Sequence, residues 1–351
     1  MRNLMRSAKG LGFGTLNNMR SATRDDCRIL ITGAGGFIGS HVTELLLREG
    51  HRVRALARYN GRGDTGHLRH IPQSLGASLE VRLGDVTDPF LMRVLVADCD
   101  IVLHLAALIG IPYSYIAPAS YLAINANGTL NVLEACRQAK TPRVIVTSTS
   151  EVYGTALYTP IDEKHPLQGQ SPYSASKIAA DKLAEAYYRS FDLPVVTLRP
   201  FNTYGPRQSA RAVIPTVLAQ ALKGSKEIEL GNLTPQRDLT FVTDTARAFF
   251  LAATASGIEG ETIHFGQGSA ISIQELAELC LQAAGRTARL VSVGQRSRPE
   301  KSEVDLLLSD SSKAKELLGW APKVALLDGL RATVEYVRNH INRYDAGGYV
   351  V

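Results

Sequence analysis

The chain has 351 residues, of which 45% are apolar and 21% are charged, as is ordinary for a globular protein that can bury a large core. Its four cysteines, Cys27, Cys99, Cys136 and Cys280, lie far apart and have no metal-type spacing with histidine. This pattern argues against a disulfide framework and against a metal site, and it predicts a cytoplasmic protein with free thiols. No apolar run approaches the roughly 18 residues that span a bilayer, so no membrane association is expected.

The net charge of +6 is concentrated at the start of the chain. Residues 1–24 carry five basic side chains and no acid, which leaves only +1 for the rest. A near-neutral body with a short basic leader predicts no nucleic-acid partner. The leader lacks the apolar centre of a secretory signal, and its glycines and asparagines favour a disordered extension over residues 1–26 rather than an organellar transit peptide.

A glycine-rich turn follows the first predicted strand, Cys27 to Thr32, and precedes a predicted helix from Ser40 to Arg48. Strand, glycine turn and helix in this order are typical of a dinucleotide-binding site. The first glycine permits the tight turn, the second lets backbone approach the pyrophosphate, and the third lets the helix pack closely, while the helix N-terminus holds the phosphates. The predicted cofactor contacts from this turn are Gly33, Gly36, Phe37, Ile38 and Gly39.

The ends of the next strands supply further candidate cofactor contacts. The second predicted strand, Arg52 to Ala57, ends where an acid usually receives the ribose 2′-hydroxyl of NAD. Arg58 follows instead and suits the 2′-phosphate of NADP, which gives a slight preference for NADP, although a solvated loop cation is an equal alternative. Asp85 is a candidate for the adenine amino group or a turn residue. The other candidates are Val86, Leu105, Ala106 and Ala107.

A hydroxyl-rich cluster with one carboxylate follows the fifth predicted strand, Arg143 to Thr147. Its members are Ser148, Thr149, Ser150 and Glu151. Tyr173 follows 22 residues after Glu151, and Lys177 is one helical turn further on, so that phenol and ammonium share one helical face. A phenol titrates near pH 10, and a neighbouring cation is expected to lower that pKa. Beside the dinucleotide motif, the pair predicts a catalytic site rather than a surface helix.

Alternating strands and helices of this size predict an α/β fold with a Rossmann-type, doubly wound parallel sheet. After Pro200 the segments become shorter, which indicates a smaller C-terminal α/β portion that binds substrate. The predicted cofactor-binding domain comprises residues 27–199 and about 239–265, including a helix from Thr243 to Ala255. Residues 200–238 and 266–335 form the predicted substrate-binding portion.

In order and spacing, these motifs resemble the extended short-chain dehydrogenase/reductase family over residues 27 to 335. Three segments resemble its nucleotide-sugar 4,6-dehydratases: the active-site loop Thr149–Gly154, the phosphate loop Arg199–Pro206, and Arg298–Asp305, which is similar to GDP-sugar dehydratases. Residues 111–115 and 160–167 resemble the dehydratases that act on GDP-N-acetylglucosamine in legionaminic acid synthesis.

The resemblance implies an enzyme that converts an NDP-hexose to its 4-keto-6-deoxy product with a tightly bound, recycled NAD(P). Tyr173 and Lys177 would support oxidation at C4, Thr149 would hydrogen-bond the ketone with help from Ser148, and Glu151 would remove the C5 proton as water leaves C6. The candidate catalytic residues are Thr149, Ser150, Glu151, Tyr173 and Lys177. The candidate substrate contacts are Ser148, Asn202, Arg207, Arg237 and Arg298, since guanidinium forks match phosphate geometry.

Ser150 departs from the dTDP-glucose dehydratases, which carry an aspartate there to protonate the leaving hydroxyl. Either protonated Glu151 delivers that proton, or the reaction involves no dehydration. A UDP-glucuronate decarboxylase would use the same residues but needs a cation for the C6 carboxylate, for which the sequence shows no local signal. A 4-epimerase would gain little from Glu151, and a non-catalytic NAD(P)-binding scaffold is disfavoured by the intact catalytic residue types.

Two predicted helices, Pro118–Lys140 and Ser171–Phe191, carry apolar residues around much of their circumference. One face of each would cover the sheet and the other could pair across a two-fold axis, which predicts a homodimer. The resemblance further implies a role in deoxysugar biosynthesis for cell-surface polysaccharide.

Overall fold

The computed structural model describes residues 27–294 and 298–344, so the predicted leader lies outside the described residues. A parallel sheet of seven strands forms the centre, in the order β10-β6-β5-β4-β1-β2-β3. This arrangement confirms the predicted doubly wound α/β fold. The strands are β1 (Arg28–Thr32), β2 (Arg52–Arg58), β3 (Leu79–Gly84), β4 (Ile101–His104), β5 (Arg143–Thr147), β6 (Val195–Pro200) and β10 (Thr262–Phe265).

Helices cover both faces of this sheet because its strands are apolar on both sides. Ile29 and Ile31 of β1 join one core, and Leu30 between them joins the other. The first core packs under α1 (Phe37–Arg48) and α8 (Val242–Thr254), and the second under α2 (Pro89–Val96), α5 (Gly128–Ala139) and α6 (Pro172–Phe191). The helix predicted from Thr243 to Ala255 corresponds to α8, which contacts α1.

Helix α6 begins where the sequence predicts and is fixed there by its N-terminal residues. Ser171 and Ser174 form a reciprocal capping box, and Pro172 occupies the first turn, where its missing N–H costs nothing. The helix ends after 20 residues, where Asp192 adopts a left-handed conformation. The capped start matters for function because Tyr173 and Lys177 lie in the first two turns.

The predicted helix from Pro118 to Lys140 is present over residues 118–139, with one π-helical turn inside it. Helix α3 (Ile111–Ile116) and the short α4 (Pro118–Tyr121) lead into a π-helical turn, Leu122–Asn127, before α5 begins. Within that turn the Asn125 amide accepts from the Leu108 N–H, donates to the Leu108 carbonyl and donates to Ser176. In the π-helical turn, Asn125 thus hydrogen-bonds residues 17 and 51 positions away, and the local helical pattern does not predict such pairings.

A separate core lies beyond β6. It packs α7 (Val213–Leu222), α9 (Ile273–Ala284) and α11 (Leu326–Asn339) against small sheets. The strands are β7 (Asn202–Tyr204), β8 (Glu227–Leu230), β9 (Gln236–Phe241), β11 (Ala270–Ser272), β12 (Arg289–Ser292) and β13 (Leu306–Leu307). The predicted division at residue 239 thus falls inside β9.

Helix α10 (Ser312–Leu318) packs with the large sheet, although the predicted division placed it in the substrate-binding portion. Trp320, just after α10, is fully buried, and its ring lies 5.3 Å from that of Phe265 on β10. Its indole N–H donates to the Asp244 carbonyl at 2.9 Å. The large indole explains why the chain returns to the first core.

We predict that Gly33→Ala destabilises the fold by about 2–4 kcal/mol. Gly33 has a φ of +72°, and an added Cβ would lie 2.7 Å from the backbone nitrogen of Ala106. Urea unfolding measures the loss. Gly76→Ala is the control, because its Cβ would meet no heavy atom within 4 Å. Equal losses in the two variants would contradict the close approach of β1 and β4 as the cause.

Candidate active site

A cavity of about 900 Å³ opens at the carboxyl ends of the parallel strands, where the strand order reverses between β1 and β4. Ligands of doubly wound folds bind in the crevice at this reversal. Every predicted cofactor contact lines the cavity. These residues are Gly33, Gly36, Phe37, Ile38, Gly39, Arg58, Asp85, Val86, Leu105, Ala106 and Ala107.

The glycine turn has the backbone geometry that a dinucleotide requires. The Gly36 N–H donates to the Gly33 carbonyl at 3.0 Å, and α1 starts directly after Gly36. Gly39 lies so close to the Gly33 carbonyl that a side chain there would overlap it. Free N–H groups at the start of α1 therefore face the cavity without side chains in front of them, as a phosphate site needs.

The two candidate adenosine contacts lie at the strand ends beside this turn. Arg58 closes β2 and is exposed on the cavity lining. Asp85 follows β3, and its carboxylate accepts from both the N–H and the hydroxyl of Thr87, at 2.9 and 2.8 Å. Asp85 is thus a turn residue and a cavity residue at once, so the two sequence interpretations do not exclude each other.

The hydroxyl cluster and the Tyr-Lys pair meet on one wall of the cavity. Thr149 caps a single helical turn, Ser150–Tyr153, by accepting from the Glu151 N–H at 3.3 Å. Its hydroxyl also interacts with the Tyr173 phenol. Tyr173, Lys177, Ser150 and Glu151 are all buried and all line the cavity. The structure therefore brings the five candidate catalytic residues together.

Burial governs the protonation of the Tyr-Lys pair in the protein alone. It raises the pKa of Tyr173, which Thr149 opposes and the negative charge of Glu151 reinforces. It lowers the pKa of Lys177, which the negative charge of Asp181 opposes. The Lys177 ammonium donates to the Thr147 carbonyl at 2.6 Å. The predicted lowering of the Tyr173 pKa is therefore not produced by the protein's own groups, because desolvation of the phenolate outweighs them.

Ser148 has a different setting from the one expected of a substrate contact. Its hydroxyl donates to the Asp181 carboxylate at 2.6 Å and accepts from the Arg199 guanidinium at 3.3 Å. The single Ser148 proton is thus already engaged, which leaves Thr149 as the hydroxyl donor toward the cavity. Asp181 and Arg199 themselves form a buried ion pair at 2.8 Å, with side chains only 5% and 4% exposed.

Two of the three candidate phosphate-binding arginines lie in a row of alternating charges on the cavity wall. The Arg298 guanidinium lies 3.6 Å from the Glu151 carboxylate and 3.7 Å from that of Glu303. Arg237 lies 3.4 Å from the same Glu303. Burial lowers the pKa of Arg237; in Arg298, burial opposes the charge but the two glutamates raise the pKa. Asn202 also lines the cavity, and its buried amide oxygen has no hydrogen-bond partner among the residues that the structure describes.

Arg207, the third candidate arginine, points away from the cavity. It has a φ of +69°, and its guanidinium pairs with Glu44 of α1 at 2.7 Å and with the Ser40 hydroxyl at 3.4 Å. The left-handed backbone turns the side chain toward α1, so Arg207 joins two elements instead of facing substrate. Arg211, four residues later, lines the cavity, and the sequence analysis missed it.

Other sequence interpretations concern residues away from this wall. His104 is buried and hydrogen-bonded through both ring nitrogens, to Thr32 at 2.7 Å and Thr129 at 3.0 Å, which confirms a satisfied core histidine. All four cysteines are buried free thiols. Within residues 27–294 and 298–344, no group of three or more His, Cys, Asp or Glu could hold a metal ion, and no helix is long and apolar enough to cross a membrane.

Comparison with known proteins identifies the group to which this arrangement belongs. The family model described as GDP-mannose 4,6 dehydratase matches residues 30–333. The chain belongs to this family. It is thus an enzyme of the extended short-chain dehydrogenase/reductase type, whose members modify nucleotide sugars, and the resemblance to that family seen in the sequence is confirmed.

Relatives within the family catalyse different reactions. A dTDP-glucose 4,6-dehydratase of Streptomyces niveus is 34% identical over 89% of this chain and 93% of its own length. DesIV, a dTDP-glucose 4,6-dehydratase of Streptomyces venezuelae solved with NAD, is 30% identical with a TM-score of 0.81, covering 91% and 99% of the two chains. The UDP-glucuronic acid 4-epimerase of Bacillus cereus, solved with UDP-glucuronic acid and NAD, is 31% identical with a TM-score of 0.82, covering 89% and 99%.

Proposed function

We propose that this family member is an NDP-hexose 4,6-dehydratase that uses NAD(P) and acts on a nucleotide-activated hexose or N-acetylhexosamine. The observation that carries the proposal is the position of Glu151. Its carboxylate is buried in the same wall as Tyr173 and Thr149. Exchange of hydride at C4 needs one proton-transfer group, whereas elimination across C5 and C6 needs a second, and Glu151 supplies it.

The glycine turn and the start of α1 fit the pyrophosphate of the cofactor. When bound, the cofactor would accept and return hydride at its nicotinamide ring, which carries a positive charge in the oxidised form. Tyr173 accepts the C4 hydroxyl proton, and that added charge is what favours its phenolate against the effect of burial. Thr149 donates a hydrogen bond to the C4 oxygen as it becomes a ketone. The ketone makes the C5 proton acidic, and Glu151 removes it.

Protonated Glu151 then delivers its proton to the C6 hydroxyl, which leaves as water. Ser150 is buried beside it, but a hydroxyl is a far weaker acid than a carboxylic acid. After hydride has reached C6, Glu151 passes a solvent proton to C5, and Tyr173 releases the proton that it took from C4. Protons and hydride therefore balance, and the products are water and an NDP-4-keto-6-deoxy sugar.

Asn202, Arg237 and Arg298 are the proposed contacts to the diphosphate, because they face the cavity and combine cations with an unpartnered amide. Arg207 is not included, since Glu44 holds its guanidinium. The resemblance in residues 111–115 and 160–167 favours GDP-N-acetylglucosamine as the substrate, and a place in deoxysugar synthesis for cell-surface polysaccharide.

One observation favours a second candidate, a reaction on a UDP-glucuronate. Such a substrate needs a cation for its C6 carboxylate, and Arg298 lies 3.6 Å from Glu151, the group proposed to act at C5. A decarboxylase or 4-epimerase acting on this uronate would use that arginine at C6. The two candidates give different products, since dehydration removes water, decarboxylation removes carbon dioxide and epimerisation leaves the mass unchanged.

We also propose that the enzyme is a cytoplasmic homodimer. Exposed apolar side chains lie on the outer helices of the large sheet, on α5 (Leu130) and α6 (Tyr188 and Phe191). Pairing of these helices about a two-fold axis would cover them. Sedimentation at micromolar concentration tests the assembly, and a purely monomeric result would refute it.

We predict that Tyr173→Phe lowers turnover by several orders of magnitude while the protein stays folded, because the change removes only the hydroxyl that accepts the C4 proton. Steady-state assays with a panel of NDP-hexoses, together with thermal unfolding, measure both effects. Tyr158→Phe is the control: this tyrosine is exposed and hydrogen-bonds Asp162, outside the cavity. Turnover of Tyr173→Phe at the wild-type rate would exclude the mechanism.

We predict that Glu151→Gln still oxidises C4 but forms no 6-deoxy product. Because the C5 proton stays in place, reduced cofactor should accumulate to at most about one equivalent per site, visible near 340 nm as a single-turnover signal. In the wild type, C5 should acquire solvent deuterium and the product should be one water lighter, as mass spectrometry would show.

Glu278→Gln, on the exposed face of α9, is the matched control and should turn over normally. Normal 6-deoxy product from Glu151→Gln would rule out the role assigned to this carboxylate. Loss of carbon dioxide from UDP-glucuronate, without reaction on any NDP-hexose that bears a C6 hydroxyl, would establish the second candidate instead.

We predict that Arg58→Ala weakens NADP binding at least roughly tenfold more than NAD binding, because a 2′-phosphate loses its cation while the 2′-hydroxyl loses little. Fluorescence titration of each cofactor measures the difference. Arg62→Ala, in the exposed loop that follows β2 but outside the cavity lining, is the control. Equal losses for both cofactors in Arg58→Ala would show that this arginine does not distinguish them.

A further inference from the structure

A network of buried polar side chains continues from the catalytic wall into the protein. Tyr173, Lys177 and Asp181 occupy positions i, i+4 and i+8 of α6, so they share one helical face, and all three are buried. Asp181 accepts from Ser148 at 2.6 Å and from Arg199 of β6 at 2.8 Å. Through these bonds one carboxylate connects α6 with the ends of β5 and β6.

Arg199 extends the network beneath the active-site turn. Its guanidinium donates to the Tyr153 hydroxyl at 2.7 Å and lies 4.8 Å from the centre of the Tyr153 ring. The Tyr153 hydroxyl meets His264 of β10 at 2.9 Å. Tyr153 closes the turn that carries Glu151. The ion pair thus lies where it fixes both the helix of the Tyr-Lys pair and the turn of the second proton-transfer group.

We propose that Asp181, paired with Arg199, is a positioning residue for the C4 oxidation, acting through Lys177 and Tyr173 one and two helical turns away. The inference rests on the first step of the proposed function, which dehydratase, decarboxylase and epimerase share. Asp181 does not line the cavity. Its effect is electrostatic, because it places a negative charge behind an ammonium that has been removed from water.

The negative charge of Asp181 acts to raise the pKa of both Lys177 and Tyr173. The anion favours the charged form of Lys177 and so raises the pKa of that ammonium against burial. It disfavours the Tyr173 phenolate and so adds to the effect of burial in raising the pKa of that phenol. Activity needs Tyr173 deprotonated and Lys177 protonated, so both limbs of a bell-shaped pH profile lie at higher pH with Asp181 than without it.

The other groups facing the pair do not replace Asp181. His104 stays neutral at working pH because burial lowers its pKa to about 3. Glu151 lies on the cavity side of Tyr173, where substrate binds, and Arg199 carries the opposite charge. The titratable or charged groups on elements packed against this part of α6 are His104 on β4, Glu151 and Tyr153 in the active-site turn, Arg199 on β6, Tyr113 and Tyr115 on α3, and Tyr121 on α4.

The test is the pH profile of kcat/KM for Asp181→Asn, which keeps the shape of the side chain and removes its charge. Both limbs should shift to lower pH, enough to change kcat/KM at least roughly threefold at a fixed pH on each limb. Glu259→Gln is the matched control: it removes the partner of the buried Arg143 at the opposite end of β5, and its profile should match the wild type.

Asp181→Asn leaves the buried Arg199 without a counter-charge. The double variant Asp181→Asn/Arg199→Met is therefore measured beside it, because this variant buries no charge at either position. Limbs that stay in place in either folded variant would overturn the proposal and leave a purely structural ion pair. Failure of both variants to fold would overturn it as well, by assigning the pair to folding. Product identity reports on the proposed function separately, since a uronate-processing enzyme would show the same shift while forming a different product.

Discussion

The arrangement of this active site depends on the burial of two cations beside one carboxylate. Lys177 and Arg199 are both almost inaccessible to water, and Asp181, on the same helix as Lys177, accepts from Arg199 at 2.8 Å. Removing a charge from water costs several kcal/mol unless an opposite charge and hydrogen bonds replace the solvent. Here the Thr147 carbonyl, Ser148 and Tyr153 provide those bonds. The free-energy cost of burying these charges is therefore offset only if α6, β5 and β6 meet in one relative position.

The doubly wound sheet makes that position available. Parallel pairing of β4, β5 and β6 brings their carboxyl ends to one edge, and the capping box starts α6 directly above it. The helix then presents a residue to the sheet every fourth position. Tyr173 meets the cavity, Lys177 meets the end of β5, and Asp181 meets Arg199 inside the protein. The catalytic wall and its buried support are thus consecutive turns of one helix.

Local spacing explains which parts of this arrangement could be predicted from the sequence. The glycine turn, the cluster after β5 and the Tyr173-Lys177 pair each occupy a short segment whose pattern determines its structure, and all three line the cavity. Asp181 and Arg199 are 18 residues apart on different elements, and nothing near either residue indicates the other. Arg207 was assigned by its place in a motif, but a left-handed backbone and Glu44 of α1, 163 residues away, direct its side chain elsewhere. Long-range pairing, not local pattern, decides these positions.

The row Glu151, Arg298, Glu303 and Arg237 explains why neither sequence nor relatives settle the reaction by themselves. An anionic group that binds the row must compete with a glutamate for each arginine, at separations of 3.4 to 3.7 Å. If a diphosphate takes both arginines, the Glu151 carboxylate is freed from its contact with Arg298 for the role proposed at C5. If a C6 carboxylate takes Arg298, that carboxylate and Glu151 come to share one cation, and such a uronate has no C6 hydroxyl that could leave as water. The charge of the sugar at C6, sensed through one arginine, is then what separates dehydration from uronate chemistry on the same catalytic wall.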